Sequence, residues 1–306
     1  MKKALITEEF HPLLMENLIA MGYQCDEVLD IDTEGVAERI SGYELIVVNS
    51  KIKLDKDLLA KATKMKAIVR IGSGLEVIDV EECQKKGIRV ISTPEGNANA
   101  VAEHVLGFIL SAFHNIYKSQ NDILRGNWIR EENRGIELSG KTMGIIGCGN
   151  NGSRLVNILS GWDVNILIYD IVDITPNIQN ANARQVSSMK DIYEKADIVS
   201  FHVPLTQDTK YMISSHYLHS FHKNIYFVNA SRGQICQMET IYGALESGKI
   251  IKAMIDVFDN EPFISNEETK KWVESNRLFL TPHIAGWTAE SKKKMAEWAV
   301  LKLNSH

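Results

Sequence analysis

Cysteine and proline are scarce in this sequence, and neither residue forms a pattern that would cross-link a small fold. Six prolines occur in 306 residues, against an average of about 5%. The four cysteines, Cys25, Cys83, Cys148 and Cys236, are scattered without a C-x-x-C pair. That spacing disfavours a disulfide framework or a zinc site and favours reduced thiols, so we expect a cytoplasmic protein.

The sequence also lacks a long apolar run and an excess of positive charge. Its longest nearly apolar stretch, Val105 to Phe113, has nine residues, whereas about 20 are needed to span a bilayer. The apolar run Ala4–Ile6 is too short for a secretion signal. Lys and Arg number 34 against 39 Asp and Glu, which leaves no surplus cations to neutralise a phosphate backbone. We therefore expect neither a membrane nor a nucleic acid as partner.

Short β-type runs alternate with helical segments, and this alternation predicts parallel sheets with crossover helices. A length of 306 residues fits two domains of about 150 residues each. The first series of predicted strands is Lys3–Ile6, Gln24–Val28, Leu45–Val48, Ala67–Val69 and Arg89–Ile91. The second series is Met143–Ile146, Val164–Tyr169, Ile198–His202, Tyr226–Asn229, Ala253–Val257 and Leu278–Leu280.

Two longer helical patterns indicate how the domains divide. Residues 99–117 carry apolar side chains three or four positions apart, which predicts one long helix leaving the first domain. Residues 288–304 form a helical pattern that we expect to pack back on the first domain. The prediction is a discontinuous domain of residues 1–95 plus 287–306, and a continuous domain of residues 96–286.

A glycine-rich segment follows a predicted strand and opens a predicted helix, the context of the dinucleotide fingerprint G-x-G-x-x-G. In it, Gly147 permits the tight turn, Gly149 lets the backbone approach a pyrophosphate, and Gly152 allows close packing of the helix on the strand. The intervening Asn150 and Asn151 lie where the helix offers N–H groups to an anion, although Asn151 is polar where an apolar side chain usually packs. The segment predicts a dinucleotide site.

An acidic residue at the end of the next predicted strand indicates which dinucleotide binds. Asp170 stands eighteen residues beyond Gly152, where a carboxylate accepts hydrogen bonds from the adenosine ribose hydroxyls and repels a 2′-phosphate. The following residues 171–173 supply no cation to hold that phosphate. The predicted cofactor is therefore NAD rather than NADP.

Three predicted strand ends late in the chain carry reactive side chains: Arg232, Glu261 and His283. The carboxyl ends of parallel strands are where ligands bind in open α/β sheets. Reduction of a 2-keto acid needs a cation for the carboxylate and carbonyl, a proton donor for the oxygen, and a group that orients the donor. These three residues supply one of each, and we predict that they are catalytic.

At this point the sequence resembles a known family, the D-isomer-specific 2-hydroxyacid dehydrogenases. Matching segments follow the family order over nearly the whole chain: Arg70–Gly74, Arg125–Trp128, Leu138–Thr142 with the glycine loop, His202–Thr206, Asn229–Gly233, Asp256–Pro262 and Thr281–Gly286. The resemblance implies an α/β protein of two doubly wound parallel-sheet domains, Rossmann-like and flavodoxin-like. The active-site cleft would lie between a split substrate-binding domain and the NAD-binding domain.

The resemblance also implies roles for individual residues. His283 would move the proton at the C2 oxygen, Glu261 would orient its imidazole, and Arg232 would clamp the substrate carboxylate. His202, Pro204, Ala230 and Asp256 would contact the cofactor, with Asp256 on the nicotinamide carboxamide, and the backbone at Ser73 and Gly74 would bind the substrate carboxylate. A homodimer, with residues 99–128 reaching across, is further implied.

Substrate identity depends on the first domain. Lys51 and Arg70 resemble positions where D-3-phosphoglycerate dehydrogenases place cations around the substrate phosphate, but Asn49 stands where those enzymes commonly have Arg. The leading predicted substrate is 3-phosphoglycerate with 3-phosphohydroxypyruvate. Glyoxylate, hydroxypyruvate or another small 2-keto acid is the alternative.

The sequence also allows an interpretation from another class of protein, and it contains a histidine repeat. An NAD-sensing interaction protein can share this fold, since fold alone does not fix function; cofactor binding without turnover would indicate it. His216, His219 and His222 recur every three residues, but three positions turn a helix by about 300°, so they do not form one metal-binding face. We predict no metal site, and we expect His104 to be a satisfied core or interface histidine rather than a catalyst.

Overall fold

The computed structural model describes residues 2–305. The chain divides into two compact units, Met1–Ala98 with Trp287–His306 as the first and Asn99–Gly286 as the second. The sequence placed the first boundary before residue 96. In the structure this boundary falls after Ala98, inside the helix α5 (Pro94–Phe113), which runs on from one unit into the other.

The first unit is built on a five-stranded parallel sheet. Its strands are β1 (Lys2–Ile6), β2 (Tyr23–Glu27), β3 (Leu45–Val48), β4 (Ala67–Arg70) and β5 (Arg89–Ser92). They pair in the order β2-β1-β3-β4-β5, which is a flavodoxin-like order. The helices are α1 (Pro12–Ala20), α2 (Thr33–Arg39), α3 (Lys56–Lys61), α4 (Val80–Lys85) and α12 (Ala289–Asn304). Ala296 and Ala299 of α12 are buried in the same apolar cluster as Ala4, Leu14 and Val69.

The second unit is built on a seven-stranded parallel sheet. Its strands are β6 (Thr142–Ile146), β7 (Asn165–Tyr169), β8 (Ala183–Gln185), β9 (Ile198–Phe201), β10 (Ile225–Asn229), β11 (Ile250–Ile255) and β12 (Leu278–Leu280). The order β12-β11-β10-β9-β6-β7-β8 reverses direction between β6 and β9, the position where doubly wound sheets bind ligands. The helices are α6 (Ile116–Leu124), α7 (Asn150–Ile158), α8 (Lys190–Lys195), α9 (Ser215–His219), α10 (Met238–Glu246) and α11 (Glu267–Glu274).

The predicted fold class, α/β with parallel sheets, is confirmed. The central strands are rich in Val and Ile and buried on both faces, as expected for parallel strands. None of the described helices is both long and apolar enough to cross a membrane.

The long helix predicted over residues 99–117 is present, but its bounds differ at both ends. The helix starts five residues earlier, at Pro94, and ends at Phe113. Asn115 then adopts a left-handed conformation with φ of 52°, and its side chain donates to the Arg134 carbonyl at 3.2 Å. Lys252 donates to both the Ala112 carbonyl at 2.7 Å and the Asn115 side chain at 2.6 Å. These contacts end α5, and α6 begins separately.

Candidate active site

The glycine loop lies between β6 and α7, beside the end of β9. Gly147 has φ of 85°, a conformation that favours glycine, and a Cβ there would lie 2.8 Å from the His202 carbonyl carbon. A Cβ on Gly152 would lie 2.3 Å from the Gly147 carbonyl oxygen. A Cβ on Gly149 would meet nothing within 4 Å. Two glycines are thus required by packing, whereas Gly149 borders open space.

The start of α7 is suited to an anion. Gly149 is its N-cap residue and no side chain caps the helix, so N–H groups of the first turn lack helical partners. The Oδ1 atom of Asn151 is buried without a hydrogen-bond partner among the described residues. Open space at Gly149 together with an uncapped helix N-terminus fits the pyrophosphate of a dinucleotide.

Asp170, directly after β7, is tied to the glycine loop. Its Oδ2 accepts the Cys148 backbone N–H at 2.6 Å and its Oδ1 accepts that of Val172 at 3.0 Å. The carboxylate therefore fixes the loop conformation. Its predicted contact with a ribose stays a prediction. Burial raises the pKa of the neighbouring Cys148 thiol to about 11, so this cysteine stays protonated.

The other predicted cofactor residues line the ends of β9, β10 and β11. His202 follows β9, its Nε2 is 2.8 Å from the Ser200 hydroxyl, and burial lowers its pKa to about 4, so it is neutral. Pro204 is exposed and its carbonyl accepts the Thr209 hydroxyl at 2.6 Å. Ala230 is buried at the end of β10.

Glu261 and His283 follow neighbouring strands and form a hydrogen-bonded pair. Nδ1 of His283 lies 2.8 Å from Oε2 of Glu261, and Oε1 of Glu261 accepts the Phe258 backbone N–H at 2.9 Å. The hydrogen bond that His283 donates to Glu261 raises the pKa of His283 although burial opposes it. Burial acts to raise the pKa of Glu261, but the hydrogen bonds from His283 and Phe258 outweigh it and lower that pKa. The pair therefore favours an imidazolium beside a carboxylate.

Arg232 follows β10 and completes the trio. Gly233, its neighbour, approaches the loop after β11 so closely that a Cβ would lie 1.8 Å from the Phe258 carbonyl carbon. This contact holds the Arg232 loop against the loop that carries Glu261. The positive charge of Arg232 acts to lower the pKa values of both Glu261 and His283. The structure thus brings the three predicted catalytic residues together.

Asp256 is a buried anchor for the loop that bears His283. Its side chain is 1% exposed. The carboxylate accepts the backbone N–H groups of Ile284 and Ala285, each at 2.9 Å, and the Thr281 hydroxyl at 2.5 Å. Its contact with a nicotinamide carboxamide stays a prediction.

Of the predicted substrate residues of the first unit, Lys51 follows β3, Arg70 is the last residue of β4, and Ser73 and Gly74 follow β4. The Arg70 guanidinium donates to Asn49 Oδ1 at 2.6 Å, to the Gly74 carbonyl at 3.0 Å and to the Ile71 carbonyl. Ser73 donates to Asn97 Oδ1 at 3.1 Å, while Lys51 is exposed. Arg70 therefore braces the Ser73–Gly74 loop, and Asn49 serves as its acceptor.

Sequence reasoning missed the contacts that support the trio. Thr281 lies two positions before His283, and its hydroxyl donates to Asp256. Nε2 of His104, which the sequence predicts to be a core or interface residue, lies 3.1 Å from that hydroxyl. The matching segment Thr281–Gly286 indicated that the loop with His283 belongs to the site. The helical pattern of residues 99–117 did not indicate which residue His104 contacts. Among the described residues, no group of three or more His, Cys, Asp or Glu side chains could hold a metal ion.

The second unit has a parallel sheet with a glycine-rich loop at the point where the strand order reverses, and an Arg, a Glu and a His follow neighbouring strands. This combination is typical of an NAD-binding α/β domain. Residues 106–285 match the family described as D-isomer specific 2-hydroxyacid dehydrogenase, NAD binding domain. The match covers more than half of the chain, so the chain belongs to the D-isomer-specific 2-hydroxyacid dehydrogenase family.

Curated relatives carry several activities. The chain is 33% identical over 293 residues to a D-3-phosphoglycerate dehydrogenase from Methanocaldococcus jannaschii, covering 96% of this chain and 55% of the relative. It is 36% identical over 258 residues to a glyoxylate reductase from Thermofilum pendens, covering 82% of this chain and 74% of the relative. This chain therefore spans about half the length of the first of these relatives.

A solved structure shares the fold over almost the whole chain. D-lactate dehydrogenase from Aquifex aeolicus, solved in complex with NAD and lactic acid, has a TM-score of 0.85 and 26% identity, covering 99% of this chain and 94% of that one. A glyoxylate reductase from Paecilomyes thermophila has a TM-score of 0.89 at 24% identity, covering 99% of this chain and 94% of that one, and the likeness to it concerns the fold alone.

Proposed function

We propose that this protein is an NAD-dependent oxidoreductase that transfers a hydride between nicotinamide and C2 of a D-2-hydroxy acid or 2-keto acid. The observation that carries the proposal is the His283–Glu261 pair, 2.8 Å apart, with the Arg232 charge acting on both groups. A proton donor with a raised pKa, its orienting carboxylate and a nearby guanidinium are what keto-acid reduction requires.

Each residue of the trio has a distinct task. When bound, NADH supplies the hydride. His283 holds a proton on Nε2 for the C2 oxygen because Nδ1 is bonded to Glu261. Arg232 binds the substrate carboxylate in a two-pronged contact and polarises the carbonyl, which a lysine does poorly. The uncapped N-terminus of α7 and the open space at Gly149 would hold the pyrophosphate.

The leading substrate is 3-phosphohydroxypyruvate, with 3-phosphoglycerate in the reverse direction. It is supported by relatives named D-3-phosphoglycerate dehydrogenase that match 96% and 95% of the chain. It is also supported by Lys51, which follows β3, and by Arg70, the last residue of the neighbouring strand β4. One observation favours a second candidate, hydroxypyruvate or glyoxylate. Arg70 already donates to Asn49 and to the Gly74 carbonyl, and no arginine stands at position 49 to replace it as a phosphate ligand.

The test compares initial rates with NADH on phosphohydroxypyruvate, hydroxypyruvate, glyoxylate and pyruvate. The highest kcat/KM on phosphohydroxypyruvate supports the leading substrate, and in that case Lys51→Ala raises KM for this substrate without changing KM for hydroxypyruvate. A preference for an unphosphorylated acid favours the second candidate. Tight NADH binding without turnover of any of the four would contradict an enzymatic role and indicate an NAD-sensing interaction protein.

We also propose that the protein is a cytoplasmic homodimer. Support for the dimer comes from exposed apolar side chains between residues 116 and 136, including Leu124 at 76% and Trp128 at 81% exposure. Support for the cytoplasm comes from the four free cysteines.

A further inference from the structure

A polar chain of contacts links α5 to the loop that bears His283. Nε2 of His104 lies 3.1 Å from the Thr281 hydroxyl, and that hydroxyl donates to Asp256 Oδ1 at 2.5 Å. The same Asp256 oxygen is 3.8 Å from His104 Nε2, and the side chains of His104 and Asp256 are 20% and 1% exposed. All three residues belong to the second unit.

The direction of each hydrogen bond in this chain follows from its chemistry. An ionised carboxylate only accepts, so Thr281 gives its single hydroxyl proton to Asp256. The Thr281 oxygen can then only accept from His104, which requires a proton on Nε2. Burial lowers the pKa of His104 although the Asp256 charge opposes it, so the imidazole is neutral. The chain therefore selects one tautomer of His104.

Asp256 in turn holds the backbone around His283 in an uncommon conformation. His283 has φ of 53°, a left-handed value that few residues other than glycine adopt. Its backbone N–H donates to the Asp256 carbonyl at 2.8 Å, and the next two N–H groups, of Ile284 and Ala285, donate to the Asp256 carboxylate. Asp256 thus fixes the backbone from His283 to Ala285, the segment that carries the His283 imidazole.

We propose that His104 is a positioning residue for His283, acting through Thr281 and Asp256. Because His104 donates to the Thr281 oxygen, the Thr281 hydroxyl directs its proton to Asp256. This hydrogen bond keeps the Asp256 carboxylate in the orientation that accepts the N–H groups of residues 284 and 285. The contact chain stands on the geometry alone, whereas its effect on turnover rests on the proposed function of His283.

The first test measures the pKa of the His283 imidazole by NMR of histidine-labelled protein, with His283→Gln identifying the signal. Glu261, Asp256 and Arg232 are the charged groups that act on this imidazole. In Thr281→Val and in His104→Leu the loop loosens and the bond to Glu261 weakens, so the pKa of His283 falls toward its ordinary value of about 6.5. Thr281→Ser and His104→Gln keep a hydroxyl and an N–H donor, and we expect them to retain the raised pKa.

The second test separates positioning from loss of structure. Thr281→Val and His104→Leu should lower kcat for keto-acid reduction by about tenfold to 10²-fold, the cost of displacing a reacting group by about an ångström, with the Kd for NADH unchanged. His216→Leu removes an exposed histidine of α9 and should change neither quantity. Circular dichroism checks folding, and if Thr281→Val fails to fold, the two His104 variants decide.

An unchanged pKa of His283 in both Thr281→Val and His104→Leu would overturn the proposal. Failure of the proposed function gives a different result. If the native protein reduces none of the keto acids while the His283 pKa still falls in these variants, the positioning role holds and the reaction assigned to His283 is wrong.

Discussion

The protonation state of His283 links its contacts to the direction of the reaction. The hydrogen bond that His283 donates to Glu261 raises the pKa of His283, so the imidazolium persists to higher pH than in an isolated histidine. Reduction of a keto acid uses the imidazolium, and its rate should fall as pH rises through this pKa. Oxidation of a hydroxy acid uses the neutral imidazole, and its rate should rise over the same interval.

Glu261→Gln is expected to move this pH dependence to lower pH. The amide carries no charge to stabilise the imidazolium, so the pKa of His283 decreases and reduction fails earlier as pH is raised. The measurement is kcat/KM for reduction across the pH range. Glu274→Gln, the same change at an exposed residue of α11, is the control, and coincident profiles for Glu261→Gln and the native protein would contradict the assigned pairing.

Arg232→Lys tests the need for a planar guanidinium. Lysine keeps the charge but cannot bind a carboxylate through two parallel N–H bonds. We expect a loss of about 10²-fold or more in kcat/KM for Arg232→Ala, with Arg232→Lys recovering only part of it. NADH binding followed by fluorescence should be retained in both variants, and native turnover in Arg232→Ala would exclude the role.

At the scale of secondary-structure elements, two glycines of the β6–α7 connection have different expected roles, one in NADH binding and the other in stability. Gly149→Ala adds a Cβ that meets nothing within 4 Å, so we expect the Tm to be unchanged. The same Cβ occupies the space proposed for the pyrophosphate, so we expect the Kd for NADH to rise by about tenfold or more, which is about 1.4 kcal/mol. Gly152→Ala places a Cβ 2.3 Å from the Gly147 carbonyl oxygen and should lower the free energy of unfolding by about 1–3 kcal/mol.

Calorimetry and NADH titration of the two glycine variants supply the measurements. Each variant serves as the control for the other, because both insert the same methyl group within one turn of the chain. If Gly149→Ala binds NADH with the native affinity, the assignment of this loop to the cofactor site is wrong.

Most strands were predictable because their residues form continuous apolar runs that are buried. Leu45–Val48 and Leu278–Leu280 have the predicted bounds, and β11 ends at Ile255 rather than Val257 because the chain turns there so that Asp256 can bond the loop after β12. The three-residue β8 escaped prediction because none of its residues is fully buried. The end of α5 escaped it because Lys252, 140 residues from Ala112, supplies the terminating contact.

The residues of the site could be predicted from their types and their positions at strand ends, but the contacts that support them could not. Arg232, Glu261 and His283 follow apolar strands whose parallel order places their carboxyl ends at one edge. The contact of His104 with Thr281 joins residues 177 positions apart, and helical periodicity reports which side of a helix is buried without reporting the partner. The acceptor role of Asn49 toward Arg70 was equally invisible, since the sequence showed only a missing arginine.

On the scale of the whole molecule, the second unit alone carries both the glycine loop and the trio. The loop follows β6, and the three side chains follow β10, β11 and β12 of the same sheet. Parallel strands present all their carboxyl ends at one edge, which is why the glycine loop and the trio, although far apart in sequence, lie at one sheet edge.

The apolar side chains exposed between residues 116 and 136 are the basis of the last prediction. Ile123, Leu124 and Trp128 are 53%, 76% and 81% exposed, and apolar surface concentrated in one segment marks a protein interface more often than free surface. We expect sedimentation at micromolar concentration to give a dimer, and Leu124→Asp combined with Trp128→Asp to give a monomer, since burying two carboxylates in an apolar interface is costly.

Leu301→Asp is the matched control for this change. Leu301 is 57% exposed on α12, outside the segment in question, and the same substitution there should leave the dimer intact. A native protein that sediments as a monomer would exclude the homodimer. If the double variant remains dimeric, the interface lies on another surface, because an interface formed by residues 116–136 would not tolerate two added charges.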